Sequence, residues 1–169
     1  MRKSGVRESG ARESGVLTHV DARGKVRMVD VGAKPETARE AVATGEVRAN
    51  AAARRAVARR AVKKGDPLQT ARIAGIMAAK RTSEIIPLCH PLPISNIDID
   101  VTPIAVGFRI EARVGTIART GVEMEALTAV AAAALALYDM LKAVDRTMTI
   151  GKIQLMEKRG GRSGHYRRR

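Results

Sequence analysis

Apolar and polar residues alternate in two neighbouring segments near the middle of the chain. In the first, Asp98 and Asp100 separate the apolar positions Ile97, Ile99 and Val101. The second follows a turn at Val106-Gly107, and its apolar positions are Phe108, Ile110, Ala112 and Val114. Alternation with a period of two predicts strands that each have one buried face. We also expect strands at residues 36–48, where many alanines weaken the pattern, and at 148–156.

Three other segments have a helical pattern. In residues 50–64 the apolar positions recur at helical spacing, and arginines occupy the remaining faces. Asp66 and Pro67 then suit the N-cap and first position of a second helix. The positions of that helix that we expect to be buried are Leu68, Ile73, Ile76 and Met77. A long helix follows Gly121 and ends near Val144.

The order of these elements is strand, helices, strand, strand, helix, strand. It is typical of an α+β fold with a ferredoxin-like antiparallel sheet and helices packed on one face. Residues 1–16 repeat Arg-Glu-Ser-Gly without an apolar period, which predicts a disordered extension. We expect one folded domain at 17–164 and a basic C-terminal tail at 165–169.

Composition changes the picture of the core. Apolar residues make up 45% of the chain but aromatic residues only 2%, so small aliphatic side chains must form the core. Each buries little area, and we expect oligomerisation to supply more buried surface.

The single cysteine, Cys89, excludes an intramolecular disulfide. The most apolar stretch, residues 127–141, is too short to span a bilayer. We therefore expect a cytoplasmic protein without a membrane segment.

The formal net charge is +14, from 31 basic and 17 acidic residues. A solvated basic surface, nucleic-acid binding or capture of a polyphosphate would each explain it. Lys63 and Lys64 lie just before the predicted helix start at Asp66, so phosphate binding there is reasonable, although the Asp66 cap competes for the same N–H groups. The sequence has no Walker-type phosphate loop.

Prolines enclose a candidate site at Leu88-Cys89-His90. Pro87 and Pro91 stiffen the backbone, and a histidine titrates near neutral pH, which suits proton transfer. The alternative is a structural histidine beside a buried thiol. We expect no zinc site, because His19 and His165 lie near the ends and there is no second cysteine.

Carboxylates mark both ends of the predicted long helix. Glu123 and Glu125 lie in its first turn, where the helix dipole favours them, and they could also bind the N–H groups of a guanine-like base. Asp139 lies in a nearly apolar stretch and shares a face with Lys142. Such a carboxylate must be paired or titrate upward on burial, so Asp139 is either a structural ion-pair partner or an acid/base residue tuned by Lys142. Asp145 is expected to be an ordinary surface charge.

Together, several ordered motifs resemble the cyclic pyranopterin monophosphate synthase family, also called molybdenum cofactor biosynthesis protein C. The resemblance runs from Leu17-Thr18-His19 to Gly160-Gly161-Arg162-Ser163-Gly164. The main motifs are Met28-Val29-Asp30-Val31, Lys64-Gly65-Asp66, Thr70-Ala71-Arg72-Ile73-Ala74-Gly75-Ile76, Ile86-Pro87-Leu88-Cys89-His90-Pro91-Leu92, Thr120-Gly121-Val122-Glu123-Met124-Glu125 and Tyr138-Asp139-Met140.

The resemblance implies a ferredoxin-like subunit in a hexamer built from dimers. It implies a lyase that converts 3′,8-cyclo-7,8-dihydroguanosine 5′-triphosphate to cyclic pyranopterin monophosphate and releases diphosphate. In family terms, Asp139 matches the acid/base aspartate, and Lys64 and Lys142 match the essential lysines. The matched substrate-binding positions are Leu88, Cys89, His90, Met124 and Glu125, with Glu123 close by.

The main alternative is an RNA-binding ferredoxin-like module. That mode of binding uses aromatic side chains on the sheet as stacking platforms, and the chain offers only Phe108, Tyr138 and Tyr166. We therefore expect no specific nucleic-acid partner. No cofactor is clearly indicated: Mg²⁺ could accompany a triphosphate, but no carboxylate cluster clearly holds it.

Overall fold

A computed structural model describes residues 24–162 and 164–169 of the chain. The larger elements are β1 (Thr37–Arg48), α1 (Ala51–Ala58), α2 (Pro67–Ala79), β2 (Ile94–Ile104), β3 (Gly107–Ala118), α4 (Glu123–Leu141) and β4 (Thr149–Arg159). A single-turn helix, α3 (Thr82–Ile85), and a two-residue strand, β5 (Tyr166–Arg167), were not predicted. The predicted extension at 1–16 lies outside the described residues.

The five strands form one sheet in the order β2-β3-β1-β4-β5, and all neighbours are antiparallel. The central register pairs Ala43 of β1 with Ala112 of β3, and Val47 with Phe108. Without β5, the element order and strand order are those of the ferredoxin-like α+β fold, so the predicted fold class is confirmed. The predicted tail at 165–169 contains β5, which pairs with β4.

The alternating positions face the core as predicted. Phe108, Ile110, Ala112 and Val114 of β3 are completely buried, and Ile99 and Val101 of β2 are nearly so. Their polar neighbours Asp98 and Asp100 are exposed. Because the side-chain period of a strand is two, this register places Phe108, Ile110 and Val114 of β3 under the helices. Ile117, near the end of the strand, lies on the other face and is 62% exposed.

The first two helices differ in part from the prediction. α1 ends at Ala58 rather than near Lys64. The predicted cap of α2 is confirmed, because Asp66 Oδ1 accepts from the N–H groups of Leu68 at 2.9 Å and Gln69 at 3.2 Å, and Pro67 is the first helical residue.

The predicted burial of Ile73 and Met77 is wrong, since they are 58% and 49% exposed. Leu68 and Ile76 pack against the core from partly buried positions. α2 instead buries a face of small residues, Ala71, Gly75 and Ala79. That face allows α2 to approach α4, and the approach decides which side of the helix is buried.

α4 packs against α2 and against β1, β3 and β4, and glycines allow both approaches. A Cβ atom on Gly75 of α2 would lie 2.9 Å from the Ala129 carbonyl oxygen and would also meet Ile99 Cδ1. A Cβ atom on Gly45 of β1 would lie 2.6 Å from Val130 Cγ1. The close contacts on both sides hold α4 against α2 and against the sheet.

Among the described helices, α4 alone is long and apolar enough to cross a membrane by length and composition, and half of that stretch is buried inside the protein. A core helix covered by a sheet and a second helix has the same composition.

We expect Gly75→Ala to destabilise the protein by about 1–3 kcal/mol, because the new methyl group meets backbone that cannot move aside cheaply. Urea unfolding at fixed protein concentration measures the change. Gly151→Ala is the matched control, since nothing lies within 4 Å of its Cβ position, and we expect it to stay within about 0.5 kcal/mol of wild type. Wild-type stability for Gly75→Ala would contradict the close packing of α2 and α4.

Candidate functional site

The beginning of α4 faces the proline-rich segment across a cavity of about 300 Å³. All six residues predicted to bind substrate line it, namely Leu88, Cys89, His90, Glu123, Met124 and Glu125. The other lining residues are Val29, Val31, Lys34, Leu92, Thr120 and Gly121. We call this space the upper cavity. The structure therefore brings together two motifs that lie more than thirty residues apart in the sequence.

His90 is held by the segment that precedes β1. Its Nε2 lies 2.9 Å from the carbonyl oxygen of Val29. A carbonyl oxygen can only accept, so Nε2 carries the hydrogen and donates it. In the neutral ring Nδ1 is then an acceptor, and the hydrogen bond fixes the orientation of the imidazole.

The two glutamates of the upper cavity have different environments. Glu125 is 4% exposed, and burial raises the pKa of its carboxyl group, with a smaller contribution from the negative charge of Glu123. Glu123 is more exposed and lies 3.7 Å from Lys158 Nζ of β4. Because its pKa is raised, Glu125 keeps its proton to a higher pH than a surface glutamate does.

Cys89 lies in the same cavity as a free thiol. Burial raises its pKa, and the charge of Glu125 raises it further. The thiol is therefore protonated at neutral pH, and a protonated thiol is a poor nucleophile. Cys89 contributes shape and a weak donor to the cavity.

At the opposite end of α4, Asp139 lies between two lysines. Lys142 Nζ is 2.6 Å from Asp139 Oδ1, and Lys64 Nζ is 3.1 Å from Oδ2. Lys64 also donates to the Asp139 carbonyl oxygen at 3.0 Å. The predicted pairing of Asp139 with Lys142 on one helix face is confirmed, and the structure adds Lys64 from the turn before α2.

Asp139 is not buried, since its side chain is 56% exposed. The hydrogen bonds from Lys142 and Lys64 lower the pKa of its carboxyl group. Asp139 is thus ionised at neutral pH and can accept a proton, while the two lysines donate hydrogen bonds to its carboxylate. A cavity of about 300 Å³ beside it is lined by Lys64, Tyr138, Lys142, Ala143 and Arg146, and we call it the lower cavity.

The two groups of residues do not meet within one chain. Glu125 and Asp139 lie on the same helix, and at 1.5 Å per residue they are roughly 21 Å apart along its axis. The residues matched to catalysis therefore lie at one end of α4 and those matched to substrate binding at the other.

Asp145 corrects a further expectation, because it is buried rather than a surface charge. Its Oδ2 accepts from Asn50 N–H at 2.7 Å, and its Oδ1 accepts from the N–H and hydroxyl groups of Thr147 at 2.9 and 2.7 Å. These donors, the Asn50 N–H first, lower the pKa of the Asp145 carboxyl group. The carboxylate anchors the turn after α4 to the start of α1.

Sequence reasoning missed Lys34 in the upper cavity and Arg146 in the lower one. No local pattern marks either residue, since each is one of many cations in a basic chain. Val29 and Val31 could have been found, because they belong to the Met28-Val29-Asp30-Val31 motif. His165 was expected at a loose end, but its Nε2 lies 2.7 Å from Glu157 Oε1.

No group of three or more His, Cys, Asp or Glu side chains that could hold a metal ion occurs in the part of the chain that the structure describes. In both cavities the side chains suited to an anionic ligand are lysines, an arginine and a histidine. Their chemistry fits phosphate oxygens and proton transfer.

Comparisons with known proteins agree on one family. The model of the MoaC family matches residues 28–161. A protein of Thermomicrobium roseum named cyclic pyranopterin monophosphate synthase is 61% identical over 154 residues, which cover 90% of this chain and 93% of that protein. A protein of the same name from Roseiflexus castenholzii is 59% identical, covering 88% and 95%. Cyclic pyranopterin monophosphate synthase 3 of Mycobacterium tuberculosis is 57% identical, covering 91% and 88%.

The buried charge of Glu125 generates a testable prediction. The pKa of Glu125 in the folded protein lies above the ordinary value of 4.5, which also applies to the unfolded chain. At a pH between the unfolded-state pKa and the folded-state pKa, the folded protein therefore binds more protons than the unfolded protein. Stability is therefore lost as the pH rises through this window. We expect Glu125→Gln, which keeps the shape without the charge, to melt about 2–4 °C above wild type at pH 8, and the gain to vanish near pH 4.

Glu123→Gln is the control, because it removes the ion pair with Lys158 rather than a buried charge. We expect no gain in melting temperature for this variant at either pH. If Glu125→Gln melts at or below the wild-type temperature at pH 8, burial does not penalise the Glu125 carboxylate.

Proposed function

The chain belongs to the MoaC family, and from that premise we propose that it is a cyclic pyranopterin monophosphate synthase of molybdenum cofactor biosynthesis. In this proposal the enzyme is a lyase that breaks a phosphorus–oxygen bond. It converts 3′,8-cyclo-7,8-dihydroguanosine 5′-triphosphate to cyclic pyranopterin monophosphate and releases diphosphate. The observation that carries the proposal is sequence identity: the cyclic pyranopterin monophosphate synthase of Thermomicrobium roseum is 61% identical to this chain over 90% of its length.

The upper cavity suits the guanine-derived rings of this substrate. Glu123 and Glu125 can accept hydrogen bonds from ring and amino N–H groups, and a protonated Glu125 can also donate one. The His90 Nδ1 acceptor lies on the same cavity. Opening and re-forming rings requires several proton transfers, and hydrogen-bond donors and acceptors that face one cavity can serve them.

The lower cavity suits the phosphate chain. Formation of the cyclic phosphate joins a hydroxyl oxygen to the first phosphorus and breaks its bond to the departing diphosphate. Negative charge develops on that leaving group, and Lys64 and Lys142 can stabilise it. The ionised Asp139 can accept the proton that the attacking hydroxyl loses. The N–H groups at the start of α2 are already occupied by Asp66, so side-chain cations are the phosphate ligands in this proposal.

The proposal includes active sites shared between two subunits. One helix separates the upper and lower groups by roughly 21 Å, which is too far for one reacting centre. An antiparallel copy of α4 from a second subunit would place the beginning of one helix beside the end of the other, and a two-fold axis would create two such sites. The expected assembly is a homohexamer, a trimer of dimers with active sites at the dimer interface.

Three further expectations belong to the same proposal. The cytoplasm is the expected compartment, because the single cysteine is a free, protonated thiol. Any Mg²⁺ that accompanies the triphosphate would be held chiefly by phosphate oxygens. The RNA-binding alternative loses support, because Phe108 is completely buried and Tyr138 lies on α4, leaving Tyr166 of β5 as the sole aromatic side chain on an exposed part of the described sheet.

Incubating the purified protein with the cyclised dihydro-GTP and detecting cyclic pyranopterin and diphosphate tests the activity. We expect Asp139→Asn to fold normally, because an exposed ion pair contributes little stability, and to lose about a hundredfold or more in turnover. Asp98→Asn, at an exposed position of β2, is the control and should keep full activity. Wild-type turnover by Asp139→Asn would refute the acid/base role, and failure to fold would favour a structural ion pair.

Mixing two inactive variants tests the shared site. If Glu125→Ala and Asp139→Ala subunits are refolded together in equal amounts, each mixed dimer has one site with both changes and one intact site. Random pairing makes half of the dimers mixed, so about a quarter of wild-type activity should return. Mass spectrometry of the assemblies is the control for exchange. Exchange without recovered activity would mean that each site is built from one chain.

A further inference from the structure

Arg146 lines the lower cavity together with Lys64 and Lys142. It lies in the turn after α4, seven residues beyond Asp139. Its side chain is exposed, and its guanidinium group has no hydrogen-bond or ion-pair partner among residues 24–162 and 164–169. A cation that lines a cavity without a carboxylate partner can accept an anionic ligand without first breaking an existing pair.

The charge of the lower cavity is unbalanced. Asp139 is the acidic partner in this cluster, and both of its carboxylate oxygens are taken, Oδ1 by Lys142 and Oδ2 by Lys64. One carboxylate thus faces the three cations Lys64, Lys142 and Arg146, which leaves an excess of two positive charges. A ligand with at least two negative charges would neutralise the cavity, and a diphosphate group carries them.

The backbone around Arg146 is fixed on both sides. The buried Asp145 binds Asn50 and Thr147 through three hydrogen bonds, and the hydroxyl of Tyr138 donates to the Arg146 carbonyl oxygen at 3.3 Å. A backbone held in this way reduces the entropy that Arg146 loses when it binds a ligand. The buried carboxylate of Asp145 is thus a structural group that holds this turn in place.

We propose that Arg146 binds the terminal phosphates of the substrate and the diphosphate that leaves. This inference rests on the proposed function and adds a residue to it. A guanidinium group presents two parallel N–H donors to a phosphate, which a lysine cannot do. Arg146 would therefore orient the leaving group, while Lys64 and Lys142, which bind Asp139, stabilise the charge that develops on it. Asp145 would act only through the turn, as a positioning residue.

Calorimetric titration of the full chain with inorganic diphosphate tests this assignment without requiring turnover. We expect Arg146→Gln to bind diphosphate roughly tenfold more weakly than wild type, since it loses charged hydrogen bonds at a partly exposed position. Arg146→Lys keeps the charge without the paired donors and should lose about threefold. Arg55→Gln removes the same charge from the exposed face of α1 and should bind as wild type does.

The result that would overturn the inference is wild-type binding by Arg146→Gln, or an equal loss in Arg55→Gln, which would mean unspecific attraction by the basic surface. A change in the molar mass of Arg146→Gln by light scattering would also overturn it, because Arg146 would then be a contact between subunits.

Failure of the proposed function is recognised separately. If wild type binds diphosphate through Arg146 but makes no cyclic pyranopterin, the site is a polyphosphate site and the assigned reaction is wrong.

The kinetic consequence separates binding from chemistry. Arg146→Gln should raise KM for the triphosphate about tenfold and change kcat less, because the phosphate contact exists before and during the reaction. A fall in kcat with unchanged KM would assign Arg146 to the chemical step instead and would overturn its role as a binding residue.

Discussion

The close approach of α4 to α2 on one side and to β1 on the other determines most of this structure. With one phenylalanine and no tryptophan, the core has few large side chains, so it fills space by bringing backbones together. Gly75 and Gly45 leave no room for a Cβ atom at the two contacts, and alanines cover much of the buried surface of α4. Dispersion forces in a core of small groups depend on such short distances.

This packing also determines the electrostatics of both ends of α4. At its beginning, the helix buries Glu125 beside the cavity that it shares with the proline-rich segment, and burial raises the pKa of the carboxyl group. At its end, the helix leaves Asp139 open to solvent between two lysines, which lower the pKa. Environments that raise the pKa of one carboxyl group and lower the pKa of another are typical of enzymes that need both a proton donor and a proton acceptor.

The turn after α4 shows how a buried polar group can shape a surface. Asp145 is satisfied by three donors from Asn50 and Thr147, so its charge is stabilised where it is buried. The turn it holds carries Arg146 beside Lys64 and Lys142. The positive charge that was a diffuse property of the sequence is thereby concentrated in one cavity.

The sequence by itself determined the features that depend on neighbours along the chain. The alternation in β2 and β3, the Asp66 cap of α2 and the pairing of Asp139 with Lys142 follow from local periodicity and hydrogen bonding, and the motifs were enough to recognise the family. Only the tertiary structure decided which face of α2 is buried. Ile73 and Met77 are the larger apolar residues, but the face of Ala71, Gly75 and Ala79 makes the closer contact. It also decided that Asp145 is buried, that β5 covers the edge of β4, and that Lys64, Lys142 and Arg146 share a cavity. These features depend on distances between segments far apart in the chain, and periodicity contains no information about such distances.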